Sequence, residues 1–382
     1  MTTIKSYSLQ NGEKRYQFQL YVGVDPLTGK EQRTTRRGFK TKKEAQLALS
    51  RLQLEIDNGT FRKKTAETYN DVYEMWFERY KATVSESTFA KTEEIFRLHI
   101  LPLFGKYKID KINVDICEKH VDEWFRKLVK YRSIKAYTSK VFDFAIKRGF
   151  TQNNPMKLVE VPERKKNPND EKKENFYTKE QLIQFLSCLE KEDDFKAYAF
   201  FRLLAFSGMR KGEALALTWN DLNFKKNEIK INKTLTRGEK SRLVVQTTKT
   251  ENSIRTIKMD KITMGILNEW KKKQKQDYLI LGYNTLKPNQ LVFSNRLNVY
   301  LEPNITRKWI LFVQEKYTLH KITTHGLRHT HCSLLFESGA SIKEVQERLG
   351  HGDIKTTMDV YAHVTEKAKD EAAQKFSNYL NI

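Results

Sequence analysis

A run of almost purely polar residues, 162–174, constrains the fold of this chain more than any other feature. It holds five basic and four acidic residues, with prolines at 162 and 168. A stretch with so little apolar surface cannot contribute to a packed core and is typical of an exposed linker. The 382 residues correspond to two or three domains at ~150 residues each. We therefore predict a linker at 161–175, with separate domains on either side.

The N-terminal residues 1–62 predict a small antiparallel sheet followed by one helix. Polar and apolar residues alternate over 14–22, a turn sequence follows at 25–29, and a second, basic segment comes next. Thr41 and Glu44 have the spacing of a capping box. The apolar positions Ala45, Leu49, Leu52 and Ile56 then recur on one helical face.

Residues 65–160 change to helical periodicity and predict a bundle of four or five helices. Tyr69, Val72, Trp76 and Tyr80 share one face of the first helix. Helix-stopping sequences at 101–105 and 149–155 predict breaks between helices. Aromatic side chains in this pattern are more often core residues than base-stacking surfaces.

The remaining residues, 176–382, predict a mostly helical domain with a few strands. Thr178 and Gln181 form a capping-box sequence at its start. Three short strands are predicted at 229–231, 243–245 and 254–257, with 248–253 as the turn that joins the last two. The expected fold class is therefore mainly α with small β-sheets, an α+β chain.

The charge balance favours a polyanionic partner. Lys and Arg number 70 against 47 Asp and Glu, a formal net charge of +23, which favours association with nucleic acid. A membrane surface would attract the same charge, but no apolar run approaches ~18 residues and the N-terminus lacks a signal-peptide core. We therefore expect a cytoplasmic protein. Three separated cysteines argue against disulfides and a cysteine-type zinc site.

A dense basic segment in the N-terminal region is a candidate phosphate contact. Seven cations lie between residues 28 and 43, against a single acidic residue, Glu31. The alternative is an ordinary solvated charge run, and the sequence leaves both interpretations open. The candidate DNA-binding residues are Lys30, Arg33, Arg36, Arg37, Lys40, Lys42 and Lys43.

His325 and Arg328 pair a titratable base with a fixed cation three residues apart, on one face of a predicted helix. The Arg fork suits phosphate oxygens, and His can transfer a proton near neutral pH. A pair of this kind is more often structural. A metal interpretation of His325, His329 and His331 lacks a carboxylate or thiolate partner.

Three further positions are ordinary when each is considered alone and indicate a function only as a set. Arg210 follows Ser-Gly-Met at a predicted helix junction, where it can simply pair with Glu213 or Asp221. His351 follows Leu-Gly at a predicted helix end, and Tyr361 comes ten residues later. A lone tyrosine is usually a packing residue, and its hydroxyl, with a pKa of about 10, needs nearby cations to act as a nucleophile.

The order of these segments and their sequence motifs resemble the tyrosine recombinases of the phage-integrase type over 176–364. The family pattern is matched by Arg210, Lys249, His325, Arg328, His351 and Tyr361. Lys240 and Lys258 are alternatives to Lys249 in the same region, although Thr-Lys-Thr fits the family wording best. Residues 65–160 resemble the family's core-binding domain, and 1–62 its arm-type DNA-binding module.

The resemblance implies a metal-free DNA strand transferase. Tyr361 would attack the scissile phosphate and form a 3′-phosphotyrosine, while Arg210 and Arg328 stabilise the phosphate oxygens. Lys249 would act as general acid, His325 would assist proton transfer, and His351 would donate a hydrogen bond. No cofactor is implied.

The partners implied by the resemblance are double-stranded DNA, three further copies of the chain in a synaptic tetramer, and an excisionase or DNA-bending host protein. The apolar stripe Ala368, Ala372, Phe376 and Tyr379 fits either a core helix or a helix that docks on a neighbouring copy.

Two other functions use the same residues. A type IB topoisomerase would relax DNA without choosing a sequence, and the arm-like N-terminus argues against it. A DNA-binding regulator with a decayed site would lack an Arg, His or Tyr of the pattern, and none is missing. A purely structural protein leaves the pattern unexplained.

Overall fold

The computed structural model describes residues 2–24, 29–58, 68–163, 174–247, 253–287 and 289–350, together with residues 352 and 358. Contacts within the chain define two compact units. The first comprises Met1–Ser85 and Lys91–Arg164, and the second comprises Glu86–Ala90 and Lys165–Ile382.

The N-terminal part of the first unit is the predicted sheet and helix. Strands β1, β2 and β3 form an antiparallel sheet in that order, and helix α1 packs against it; their bounds are Lys5–Ser8, Lys14–Val24, Glu31–Phe39 and Lys42–Asp57. Phe18 and Leu20 from β2 meet Ala45, Leu49 and Leu52 of α1 in a small core. The predicted helical face is therefore confirmed, whereas residues 25–28 of the turn predicted at 25–29 lie outside the described residues.

The start of α1 departs from the predicted capping box. The Thr41 hydroxyl accepts the Glu44 N–H, as expected. The Glu44 carboxylate, however, accepts the N–H of Lys40 rather than that of Thr41. The reciprocal bond is displaced by one residue, and the carboxylate still lies at the positive end of the helix dipole.

The rest of the first unit is helical, as predicted. Its helices, α2 to α7, are Tyr69–Lys81, Glu86–Ile95, Leu101–Phe104, Val114–Lys127, Tyr131–Arg148 and Pro155–Leu158, with a π-helical turn at Phe96–Ile100 and a 3₁₀ turn at Ile109–Lys111. The first five residues of α3, Glu86–Ala90, belong to the second unit. Tyr69, Val72 and Trp76 are buried. The predicted break at 101–105 is confirmed at its last residue: Pro102 is tolerated in the first turn of α4, and this helix ends at Phe104 with Gly105 as its C-cap.

The second unit is also mainly helical. Its helices α8 to α14 are Lys179–Glu190, Phe195–Ser207, Lys211–Ala216, Lys261–Ile280, Ile305–Lys316, Gly326–Glu337 and Ile342–Leu349. Helix α8 begins with the predicted capping box of Thr178 and Gln181. Helix α9 is apolar nearly all round and passes through the middle of the core.

The strands of the second unit correct the sequence-based prediction. Strands β4 to β8 are Leu222–Asn223, Glu228–Ile231, Lys233–Arg237, Leu243–Thr247 and Arg255–Lys258, with 3₁₀ turns at Trp219–Asp221 and Glu239–Ser241. The predicted hairpin between the last two strands is wrong, because β7 pairs with β6 whereas β8 pairs with β5. Residues 248–252 of the turn predicted at 248–253 lie outside the described residues.

The three cysteines, Cys117, Cys188 and Cys332, are buried free thiols. Among the helices of the described residues, none has the length and hydropathy needed to cross a membrane.

Candidate active site

Arg210 lies at the junction between α9 and α10. Helix α9 ends where Gly208 adopts a left-handed conformation, with φ of 64°, and α10 begins at Lys211. A Cβ atom on Gly208 would lie 2.5 Å from both the His331 ring and the Leu349 side chain. Glycine is therefore required here both by its backbone conformation and by the closeness of α13 and α14.

Glu213 holds Arg210 from two sides. Its carboxylate accepts the Arg210 N–H at 2.9 Å and the Arg210 Nη1 group, also at 2.9 Å. Of the two partners open at the sequence level, Glu213 is thus the observed one, and Asp221 pairs with Lys233 instead. The Arg210 side chain remains 41% exposed while Glu213 is almost fully buried. Arg210 is therefore oriented but still accessible.

The second arginine of the motif, Arg328, is buried. It is 4% exposed, and it donates from Nη1 to the Gly208 carbonyl at 2.8 Å and from Nη2 to the Leu349 carbonyl at 2.9 Å. Burial, followed by repulsion from Arg210, lowers the pKa of Arg328 to about 9. The side chain stays charged at neutral pH and joins the ends of α9 and α14.

His325 lies at the N-terminus of α13, one turn before Arg328. Its ring contacts that of His329 at a centroid distance of 4.9 Å. Desolvation by the surrounding protein, followed by the charges of His329, Arg328 and Arg210, lowers the pKa of His325 to about 4. The fold thus brings Arg210, His325 and Arg328 close enough for their charges to act on one another, with the imidazole neutral at pH 7.

Arg255, from β8, completes the electrostatics of this cluster and was not predicted. It pairs with Glu213 at 3.0 Å, and both side chains are nearly inaccessible, at 7% and 2% exposed. Burial acts to raise the pKa of Glu213, but Arg255 and then Arg210 outweigh it, and the pKa is lowered. Glu213 is therefore an anion between two guanidinium groups.

Arg348 and His331 form a second, more structural network beneath the cluster. Arg348 donates to the carbonyls of Lys258 and Phe206 at 3.0 and 2.9 Å, and its Nε donates to His331 Nε2 at 3.0 Å. The opposite ring nitrogen of His331 lies 2.8 Å from the Ala205 carbonyl. Because Nε2 accepts, Nδ1 carries the proton and the ring is neutral.

We expect His331 to make the protein sensitive to acid. Burial, followed by the charge of Arg348, lowers the pKa of His331 to about 3. Between pH 6.5 and 3 the unfolded chain binds a proton that the folded chain does not, so stability falls as the pH falls through this window. The contribution is up to about 1.4 kcal/mol per pH unit.

His331→Gln tests this expectation. The variant should lose roughly 1–3 kcal/mol at pH 8, because glutamine cannot replace both hydrogen bonds, and its stability should depend less on pH between 6.5 and 4. Urea denaturation at several pH values measures both effects, with the exposed His320→Gln as control. Equal acid slopes for wild type and His331→Gln would contradict the assignment of a neutral buried ring.

The remaining predicted catalytic residues, Lys249, His351 and Tyr361, lie outside the described residues. The described chain reaches Thr247 at the end of β7, and Gly350, with φ of 67°, ends α14. Of the alternatives to Lys249, Lys240 lies in a 3₁₀ turn and Lys258 at the end of β8, and both are exposed. The roles of these residues stay predictions.

The seven N-terminal cations are all exposed, but they do not share one face. Arg33 pairs with exposed Tyr21 on the side of the sheet away from α1, whereas Arg36 pairs with buried Phe18 on the side that packs against α1. The register is continuous between these two pairs, so Arg33 and Arg36, three positions apart, alternate onto opposite faces of the sheet. Lys42 and Lys43 begin α1. These cations therefore do not lie on one face of the sheet, and their role in DNA binding stays a prediction.

Across the described residues, no group of three His, Cys, Asp or Glu side chains is arranged to hold a metal ion.

Comparison with known sequences identifies the family. Residues 175–368, just over half of the chain, match the Phage integrase family. The chain belongs to this family. Residues 68–125 match the phage integrase N-terminal SAM-like domain, and residues 4–56 match the Arm DNA-binding domain. The protein is accordingly a site-specific recombinase of the tyrosine recombinase class, an enzyme that breaks and rejoins DNA.

Individual relatives agree with the family assignment over nearly the whole length. The ICEBs1 integrase of Bacillus subtilis (strain 168) is 29% identical over 375 residues, which cover 97% of this chain and 99% of that protein. The Tn1549 transposon integrase, solved with transposon right end DNA, has a TM-score of 0.65 at 21% identity, covering 82% of this chain and 100% of the solved one. A lambda integrase tetramer bound to a Holliday junction has a TM-score of 0.56 at 15% identity, with coverages of 93% and 94%. This chain thus shares its fold with the two solved integrases.

Proposed function

We propose that this recombinase cleaves DNA by attack of the Tyr361 hydroxyl on a scissile phosphate, forming a 3′-phosphotyrosine and a free 5′-hydroxyl. The observation that carries the proposal is the meeting of Arg210, Arg328 and His325 at the junction of α9, α10 and α13. Transfer of the phosphoryl group to tyrosine conserves a phosphodiester bond, so the strand can be rejoined without another source of energy. Integration and excision of a mobile element use this reversibility.

The two arginines supply what a phosphoryl transfer requires of its environment. Charge on the non-bridging oxygens is stabilised best by cations that are oriented before the reaction begins. Arg328 uses Nη1 and Nη2 on backbone carbonyls, and Arg210 uses Nη1 on Glu213, so both guanidinium groups are held in place. Their remaining N–H groups provide donors for phosphate oxygens.

Proton transfer is assigned to the neighbouring residues. Because the His325 pKa is lowered to about 4, the neutral ring can accept a proton at pH 7 and assist deprotonation of the tyrosine. Lys249 protonates the leaving 5′-oxygen, and His351 donates a hydrogen bond to the phosphate. These assignments require no cofactor.

Trapping the covalent intermediate tests this mechanism. In a duplex that carries the attachment site, with a nick a few nucleotides downstream of the scissile phosphate, cleavage releases the short fragment that carries the free 5′-hydroxyl. Because this fragment diffuses away, religation is prevented and the tyrosine adduct accumulates. We expect a protein–DNA adduct that survives denaturing electrophoresis and forms equally well with EDTA present. A strict requirement for a divalent metal would contradict the proposal, because the arginines then would not carry the charge stabilisation.

The chain's partners follow from the same proposal. We infer that residues 1–62 bind arm-type DNA sites, that 65–160 bind the core site together with the catalytic domain, 176–382, and that 161–175 link them. The enzyme works in the cytoplasm as a homo-tetramer on two duplexes, with an excisionase or a DNA-bending host protein setting direction. The match of residues 4–56 to the Arm DNA-binding domain and the DNA-bound lambda integrase tetramer support these inferences.

Arg33 is the sharpest test of the arm module. It lies on the helix-free side of the sheet beside exposed Tyr21, and its surface ion pair with Glu31 holds it only weakly. Arg33→Gln should weaken binding to arm-site DNA and reduce the slope of log affinity against log salt by about 1. Arg51→Gln, on exposed α1, is the matched control. An unchanged slope for Arg33→Gln would remove this face from the DNA contact.

A further inference from the structure

Arg255 occupies a position that its strand alone does not explain. Its side chain is 7% exposed and uses all three guanidinium nitrogens. Nη2 donates to Glu213 at 3.0 Å, Nε to the Arg348 carbonyl at 2.8 Å, and Nη1 to the Ser253 carbonyl at 3.2 Å. A strand residue whose guanidinium group joins its own strand to two distant helices is placed to fix their relative positions.

Two of the three contacts lead toward residues of the proposed mechanism. Glu213 is the group that orients Arg210. The Arg348 carbonyl belongs to the last turn of α14, next to the Leu349 carbonyl that Arg328 binds. Ser253 lies only two positions before Arg255, so the third contact is local. Arg255 therefore binds the residue that orients Arg210, and it binds α14 one residue before the carbonyl that holds Arg328.

We propose that Arg255 is a positioning residue for DNA cleavage: through its buried ion pair with Glu213 it fixes the orientation of Arg210. This inference rests on the proposed function of Arg210. Arg255 does not touch DNA itself. Arg255 is a second cation beside Glu213. The Glu213 carboxylate therefore stays charged and in place when Arg210 also binds a DNA phosphate.

The distinction from a purely structural role depends on Arg348. Arg348 is also a partly buried guanidinium that donates to backbone carbonyls, yet its contacts are Lys258, Phe206 and His331, and none of these orients Arg210. Arg348→Lys thus removes the same kind of bonds without disturbing the Glu213 pair. It is the matched control for Arg255→Lys, which keeps the charge but cannot reach Glu213 and the Arg348 carbonyl together.

Single-turnover cleavage of the nicked duplex at saturating protein is the measurement, with thermal unfolding and DNA affinity recorded for each variant. Arg255→Lys should slow cleavage on the order of 100-fold, the effect of a catalytic group displaced by about 1 Å, without a matching loss of DNA affinity. Arg348→Lys should lower thermal stability comparably but leave the cleavage rate of the folded protein near that of wild type. Similar losses of cleavage in both variants would overturn the proposal.

A double-substitution test makes the coupling explicit. If Arg255 acts through Arg210, then Arg255→Lys should have little further effect in an Arg210→Lys background, within about twofold, the usual error of additivity. Full multiplication of the two effects would mean that Arg255 acts elsewhere, and it would overturn the proposal. Failure of wild type to form an adduct would instead count against the proposed function, independently of Arg255.

Discussion

Replacing Tyr361 by phenylalanine is expected to abolish the covalent protein–DNA adduct while DNA binding persists. Loss of the nucleophile from an enzyme that forms a covalent intermediate lowers the rate by at least about 10⁴-fold. Phenylalanine keeps the size of the side chain and removes only the hydroxyl. The expected loss therefore reports on chemistry rather than on packing, and adduct yield on the nicked duplex measures it.

We expect this loss because a tyrosine hydroxyl is a weak nucleophile unless neighbouring groups activate it. A phenol with a pKa of about 10 is protonated at pH 7 and reacts slowly unless cations and a base surround it. Arg210, Arg328 and the neutral His325 provide that environment at one place on the second unit. A tyrosine that is not delivered there should be inert.

Tyr379→Phe is the control for Tyr361→Phe, because it removes the other hydroxyl of a tyrosine in the C-terminal 30 or so residues. It should leave adduct formation unchanged. Mobility shift with the attachment-site duplex should show comparable affinity for both variants and wild type. An undiminished adduct in Tyr361→Phe would assign the nucleophile to a different residue.

The sequence predicted local structure well because its signals are local. The capping box at Thr178 and the apolar face of α1 depend on residues three or four positions apart, and both helices are present. Strand pairing depends on distant residues instead. Alternation at Ile229 and Ile257 identified two strands, but nothing in either segment shows that β5 pairs with β8 across the intervening β6 and β7.

In the candidate site, too, the sequence predicted the residues of short motifs but not the contacts between distant residues. Arg210, His325 and Arg328 were predicted from the wording of their segments, and the fold brings them together. The Arg328 bond to Gly208 spans 120 positions, which no spacing rule reaches. Arg255 had no signal, because a single arginine on a short strand is ordinary. Its role becomes visible only from the buried ion pair with Glu213.

Substituting lysine for Arg210 or for Arg328 is expected to separate catalysis from stability. In both cases the positive charge remains, but the planar fork that binds two phosphate oxygens is lost. Cleavage should fall by roughly 10³-fold in each variant, the magnitude found when a preorganised cation is removed from a phosphoryl transfer. Single-turnover cleavage at saturating protein measures this effect.

The two variants should differ in stability. Arg210 is 41% exposed, so Arg210→Lys leaves Glu213 paired with Arg255 and the fold nearly as stable as wild type. Arg328→Lys removes at least one of two buried bonds, to the carbonyls of Gly208 and Leu349. Leaving such a carbonyl unsatisfied costs roughly 1–3 kcal/mol, which a lower urea midpoint would show.

Arg237 provides a matched control for Arg210. It is 40% exposed and forms an ion pair with Glu302, so its exposure and its pairing resemble those of Arg210, but it belongs to β6. Arg237→Lys should keep cleavage near the wild-type rate. Arginine and lysine carry the same charge and differ in the geometry of the charged group. If Arg237→Lys and Arg210→Lys were equally impaired in cleavage, or if Arg210→Lys cleaved at the wild-type rate, the guanidinium group of Arg210 would not be the group that stabilises the phosphate.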